Sequence, residues 1–114
     1  MSEFFKSELV QEELREIERL QESIFSNFYK FPSLSKEEQL KQIEILESLL
    51  HKQNIFYARL KLSGDPAAQQ MKEQLKMQAK QMGFPSDVDL GDVFKNMFRM
   101  VEVMRKSVDG SNIR

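Results

Sequence analysis

Apolar residues recur along this chain at spacings of three, four and seven, the signature of one helix face, in four stretches set apart by Pro and Gly. The longest stretch, Ser35 to Leu62, organises the others. It opens with Ser35 and, three residues on, Glu38, the pattern of a capping box. It closes at Ser63-Gly64, where Gly suits a helix end. The spacing predicts a helix over 36–62, ~40 Å long at 1.5 Å per residue. Ile43, Leu46, Leu50, Tyr57 and Leu60 form its seam, with Gln53 as the one polar break. Ile45, Leu49 and Phe56 fall beside that seam, which widens the apolar arc to roughly 160°, against the ~100° of an ordinary surface helix.

The first stretch predicts a helix over about 3–30, starting near Ser2 or Ser7, both suitable caps. Its stripe is Val10, Leu14, Ile17, Leu20, Ile24 and Phe28, widened by Phe25, with Phe4 and Phe5 in or before the first turn. Phe31-Pro32-Ser33 stops it, because the residue before Pro is pushed out of the α region. Asp65-Pro66 starts a third helix over 66–82, Asp as cap and Pro in the first helical position. Its stripe, Ala68, Met71, Leu75, Ala79 and Met82, is narrow, and Gly83 ends it. After Phe84-Pro85-Ser86, Asp87 or Asp89 caps a fourth helix over 89–108. Leu90, Phe94, Met97, Val101, Met104 and Val108 form its stripe, flanked by Val93, Phe98 and Met100. The polar tail 109–114 is expected to fray.

Short connections make neighbouring helices antiparallel. The expected fold is therefore all-α: one domain over 1–114, an antiparallel bundle of about four helices around a long second helix. The third helix is too short to cover ~40 Å, so part of the second helix's face should stay bare. Ile45, Leu49 and Phe56 are the residues expected there, and with Phe4 and Phe5 they form the candidate interface. Bare apolar clusters mark partners, and a second copy across a two-fold axis is the expected one. The competing possibility is that Phe4-Phe5 or the 84–90 loop folds back over them.

Composition removes several classes of function. The 114 residues contain no Cys, which excludes disulfides and thiolate chemistry, and 17 basic against 18 acidic residues are intermixed, giving a net charge of −1. A polyanion-binding surface is not suggested, so nucleic-acid association ranks third among the functions weighed. The longest apolar runs fall far short of the ~20 residues that span a bilayer. The N-terminal MSEFFKSELVQEE has acidic residues where a signal peptide has basic ones, and a cytoplasmic protein with no membrane partner is expected.

Candidate chemistry is sparse. His51 and Glu47 stand at i,i+4, but metal sites need several converging ligands and a general base needs an orienting partner. Asp87, Asp89 and Asp92 break the order of a calcium loop, and capping explains them. Six of seven Met lie between Met71 and Met104, where ordinary core filling accounts for them. Neither a catalytic residue, a metal ligand nor a cofactor is expected.

The segments FFKSELVQEEL at Phe4–Leu14, IFYARLKLSGDPAAQQM at Ile55–Met71, and MGFP followed by DVFKNM at Asp92–Met97 resemble a small uncharacterised family of cyanobacteria and their phages, catalogued as a domain of unknown function. The resemblance implies an all-helical cytoplasmic protein, made in a photosynthetic host or by a phage infecting it, and carries no site residues. The expected function is a small non-catalytic helical interaction protein, homodimeric, acting on a host or viral protein. The alternative is a ligand-binding or enzymatic bundle with an interior site, for which Gln53 is the one clear polar seam residue.

Overall fold

The structure, a computed structural model, describes residues 3–85, 87 and 89–110. Among them it has five α-helices and no strand: α1 (Glu3–Lys6), α2 (Glu8–Asn27), α3 (Lys36–Leu62), α4 (Pro66–Gln81) and α5 (Leu90–Gly110), with a 3₁₀ turn over Phe28–Ser33. α3 begins at the expected capping box. The Glu38 N–H donates to the Ser35 hydroxyl at 3.2 Å, and the Ser35 N–H donates to the Glu38 carboxylate at 3.1 Å.

The first expected helix is three pieces rather than one. Ser7 takes extended backbone angles and its hydroxyl accepts from the Val10 N–H, so the chain turns between α1 and α2. Ser2, the other expected cap, lies outside the described residues. At the far end the Ser26 hydroxyl donates to the Glu22 carbonyl, and the Asn27 amide donates to the Ser23 carbonyl. Side chains that take up last-turn carbonyls compete with helix continuation, and the chain tightens to a 3₁₀ turn that contains Pro32. The Gln39 amide donates to the Phe31 carbonyl at 2.8 Å and ties that turn to α3.

α4 starts on the Asp65 cap with Pro66 in its first turn. It ends where expected, through Gly83 at φ 103°, a conformation that favours Gly. The Gly83 N–H donates to the Lys80 carbonyl and the Phe84 N–H to that of Ala79, the paired bonds of a Schellman end. α5 is capped by Asp89, whose carboxylate accepts from the Gly91 N–H at 3.0 Å. It runs two residues past the expected end at Val108, through Asp109 and Gly110. Residues 111–114 of the expected frayed tail lie outside the described residues.

Ion pairs between Arg59 and Glu13 and between Lys52 and Glu16 show α2 and α3 antiparallel. Tyr57 against Phe94, His51 against Phe98 and Arg105 against Glu47 show the same for α3 and α5. α3 packs most extensively on α5 and α2, and less on α4. The extents are 55 × 31 × 19 Å. A helix with its side chains is about 10–12 Å across, so the body is three helices wide and two deep: α2, α3 and α5 abreast, with α4 laid over them. The radius of gyration, 16.3 Å, exceeds the roughly 13 Å of a compact chain of this length.

This arrangement corrects the expected interface. Leu49 and Phe56 are buried with Val10, Ile17, Leu20, Leu60 and Ala68, and Ile45 packs against the same cluster. Phe4 lies edge-on to Phe56 at 5.8 Å and to Phe5 at 5.0 Å, so the N-terminal pair covers the flank from within the chain. The wide apolar arc of α3 serves two neighbours: Leu49 and Phe56 face α2, whereas Ile43 and Leu50 share a cluster with Val101 and Val108 of α5. α1 is held by Asp65. One carboxylate oxygen accepts from the Ala67 N–H at 2.9 Å to cap α4, and the other accepts from the Phe4 N–H at 2.8 Å.

Two outcomes follow for stability. Phe56→Ala is expected to cost about 3–5 kcal/mol, the range for a buried aromatic, with the mass in solution unchanged, as read by thermal denaturation and light scattering. Asp65→Ala is expected to cost about 1–2 kcal/mol through the cap and further through the lost Phe4 tether, whereas Asp65→Asn, which keeps a capping oxygen, should lose less. Because Asn turns an amide NH2 toward the Phe4 N–H, it loses the tether alone, and an Asp65→Asn melting temperature equal to that of the wild type would show that the tether adds no stability.

Candidate functional site

Because α4 is 16 residues and α3 is 27, a trough runs along α3 between α2 and α5 and only half of it is roofed. Its floor on α3 is one face: Gln42 and Leu46 at one end, Gln53 and Tyr57 at the other, at spacings of four, seven and four. Its α2 wall continues from Leu14, Glu18 and Gln21 to Phe28, and its α5 wall from Val93 and Met97 to Met104.

In the roofed half, Met71, Leu75, Gln78 and Ala79 of α4, with Met82 just past its end, wall a pocket of about 340 Å³ that opens to solvent. Its apolar lining includes Phe56, Tyr57 and Phe94, and its polar side chains are Glu18, Gln21, Gln53, Gln78 and Tyr57. Gln53 was visible in the sequence as the polar break; the cavity was not, since it depends on four helices meeting. The Tyr57 hydroxyl donates to the Asp89 carboxylate at 3.5 Å. Burial, and then the negative charge of Asp89, push the Tyr57 hydroxyl above its ordinary pKa. The Gly91 N–H holds the Asp89 carboxyl below its ordinary value, with Lys61, Tyr57 and Lys76 assisting.

In the open half, a groove of about 410 Å³ is lined by Ile24, Asn27, Phe28, Tyr29, Phe31, Pro32, Gln42, Ile43, Leu46 and Met104. Phe25, Phe28 and Tyr29 on the α2 side are 78%, 74% and 74% exposed, and Met100, one helical turn from Met97 and Met104, is 66% exposed. Phe25 and Phe28 were expected in the first helix's buried stripe, and Met100 beside the last one's. They stand bare at the end of the trough where α4 contributes no residue. On α3 the groove floor is the line of Gln42 and Leu46, both only partly exposed, about 60° round the helix from Leu49.

His51 is exposed with its ring 4.6 Å from Phe98, and Glu47 accepts from Arg105 at 2.7 Å rather than meeting His51. Asp87 is exposed, Asp89 is engaged as the α5 cap, and Asp92 lies in the first turn of α5. Among the described residues no three acidic or imidazole side chains converge as a metal site, and no helix is long and apolar enough to cross a membrane.

The family described as a domain of unknown function, DUF1825, matches residues 2–108. No curated protein and no solved structure matches the chain.

The junction of Tyr57 and Asp89 titrates in both directions. A lowered Asp89 carboxyl contributes stability that is complete above the unfolded carboxylate value, ~3.9, and is lost as pH falls through its lower native value. A raised Tyr57 contributes stability that is complete below ~10 and is lost as pH rises through its higher native value. Asp89→Ala is expected to lose the cap, about 1 kcal/mol at neutral pH, and to flatten the acid limb of a melting-temperature profile; an unchanged acid limb would remove Asp89 from it.

Proposed function

The chain belongs to the DUF1825 family, and we propose that it is a non-catalytic helical interaction protein that works as a homodimer through the open half of its trough. The observation that carries this reading is the aromatic edge of Phe25, Phe28 and Tyr29 beside the 410 Å³ groove. A protrusion and a recess on one face are what a two-fold axis can satisfy, since each surface then meets its own copy.

The area supports a second copy. An aromatic side chain buries roughly 150–250 Å², so three that are three-quarters exposed offer on the order of 450 Å² per protomer, or about 900 Å² for a pair. Groove lining and rim carry that past the ~1,000 Å² a specific interface needs. Charge agrees with it. Glu22 and Lys30, both exposed, stand four residues either side of Ser26. A two-fold axis passing beside Ser26 sets each Glu22 near the other copy's Lys30. Exposed pairs of this kind contribute at most about 1 kcal/mol, so their role is register and the aromatic edge supplies the affinity. In the cyanobacterial or phage setting that the sequence resemblance implies, the dimer acts in the cytoplasm on a host or viral protein.

Light scattering at tens of micromolar tests the reading. The wild type is expected at twice the chain mass. The double variant Phe25→Glu/Phe28→Glu is expected at the single-chain mass with an unchanged helical circular dichroism spectrum, because both residues are solvent-exposed in one chain and a buried unpaired charge is costly only in the pair. A monomeric wild type, or a double variant that stays dimeric, overturns the proposal.

A further inference from the structure

We propose that the roofed half of the trough is a binding site for a small uncharged amphiphile, mostly apolar with one carbonyl, amide or hydroxyl group. Four helices meet around its 340 Å³. The space opens to solvent past Glu18, Gln78 and Met82, all exposed, and its size sits at the lower end of known ligand pockets.

Water is a poor occupant. Waters that fill it meet few polar partners on the lining, where each wants two to four, so displacing such poorly held waters with an apolar group favours binding. The lining offers Glu18, three glutamine amides and the Tyr57 hydroxyl, which already donates to Asp89. The rest is hydrocarbon, aromatic ring and thioether.

The polar groups present set the ligand's chemistry. Gln53 stands on the floor, partly buried, and its amide makes no hydrogen bond to another described residue. An amide both donates and accepts, so it suits a carbonyl or hydroxyl on an otherwise apolar body. Lys and Arg are absent from the described residues lining the space, and Glu18 is present, which disfavours an anion. Met71, Met82 and Met97 supply flexible, polarizable walls. The size fits on the order of seventeen non-hydrogen atoms, taking an atom at about two-thirds of a water's share of volume.

On α4, Ala79 is 5% exposed and lines the cavity. A larger side chain there would fill the space, which makes the site removable without touching the aromatic edge of the proposed dimer. The inference does not rest on that dimer, and its test reads a different half of the trough.

The probe is prodan, an uncharged naphthalene ketone whose emission shifts to the blue in apolar surroundings. Saturable binding of one molecule per chain with a blue shift is expected. Ala79→Leu should weaken it at least tenfold with the helical spectrum retained. Gln53→Leu, which keeps the volume and removes the amide, should weaken it about fivefold and decides the matter if Ala79→Leu does not fold. Phe25→Glu/Phe28→Glu should leave the affinity unchanged. The proposal is overturned by non-saturable binding, by wild-type affinity in a folded Ala79→Leu or in Gln53→Leu, or by loss of binding in the edge variant, which would place the dye on the aromatic edge.

Discussion

A mismatch of length governs this molecule. Three helices of 20, 27 and 21 residues lie side by side, and the one laid over them has 16. At 1.5 Å per residue α4 is ~24 Å long against ~40 Å for α3, and it packs only near the carboxyl end of α3, Ala68 with Phe56 and Leu60 and Ala79 with Tyr57. What stops α4 is local and chemical: Gly83 in a left-handed conformation, the bond from the Phe84 N–H back to Ala79, then Pro85. The pocket lies where α4 packs on α3, the groove where it does not, and Phe25, Phe28 and Tyr29 stand at the uncovered end.

The flanks of α3 are closed differently from its face. Arg59 meets both Glu13 oxygens within 3.0 Å on the α2 side, and Arg105 bridges Glu47 and Glu102 on the α5 side. These pairs are part-exposed, and each contributes little to stability by itself. Their use is in register: each fixes how far one helix slides along α3, and hence which apolar residues meet behind it. Leu49 and Phe56 fall on the side that α2 claims, Ile43 and Leu50 on the side that α5 claims.

Local chemistry was legible in the sequence. Ser7, Ser35 with Glu38, Asp65 with Pro66, and Gly83 all act where expected, because a cap is decided within four residues. The early end of α2 was harder to read, since Ser26 and Asn27 could equally have pointed to solvent. Partners remote in sequence were not legible. The broad arc of α3 reads the same whether its second side meets another helix or another molecule, so the bare residues were sought at Ile45, Leu49 and Phe56. Only the fold shows that α1 covers that flank. Gln53 was recognisable as an exception to the apolar seam, but the space beside it is a property of four helices at once.

The bond between the Phe4 N–H and Asp65 joins residues 61 positions apart, and that separation has a consequence in time. A ribosome adding about 5–20 residues per second takes seconds to reach Asp65 once Phe4 is made. Through that interval Phe4 and Phe5 have neither their tether nor the α3 flank they cover. α1 is thus synthesised before the residues that hold it and is among the last elements to find its place, and once clear of the ribosome its two phenyl rings are open to whatever chaperone or neighbouring chain meets them first.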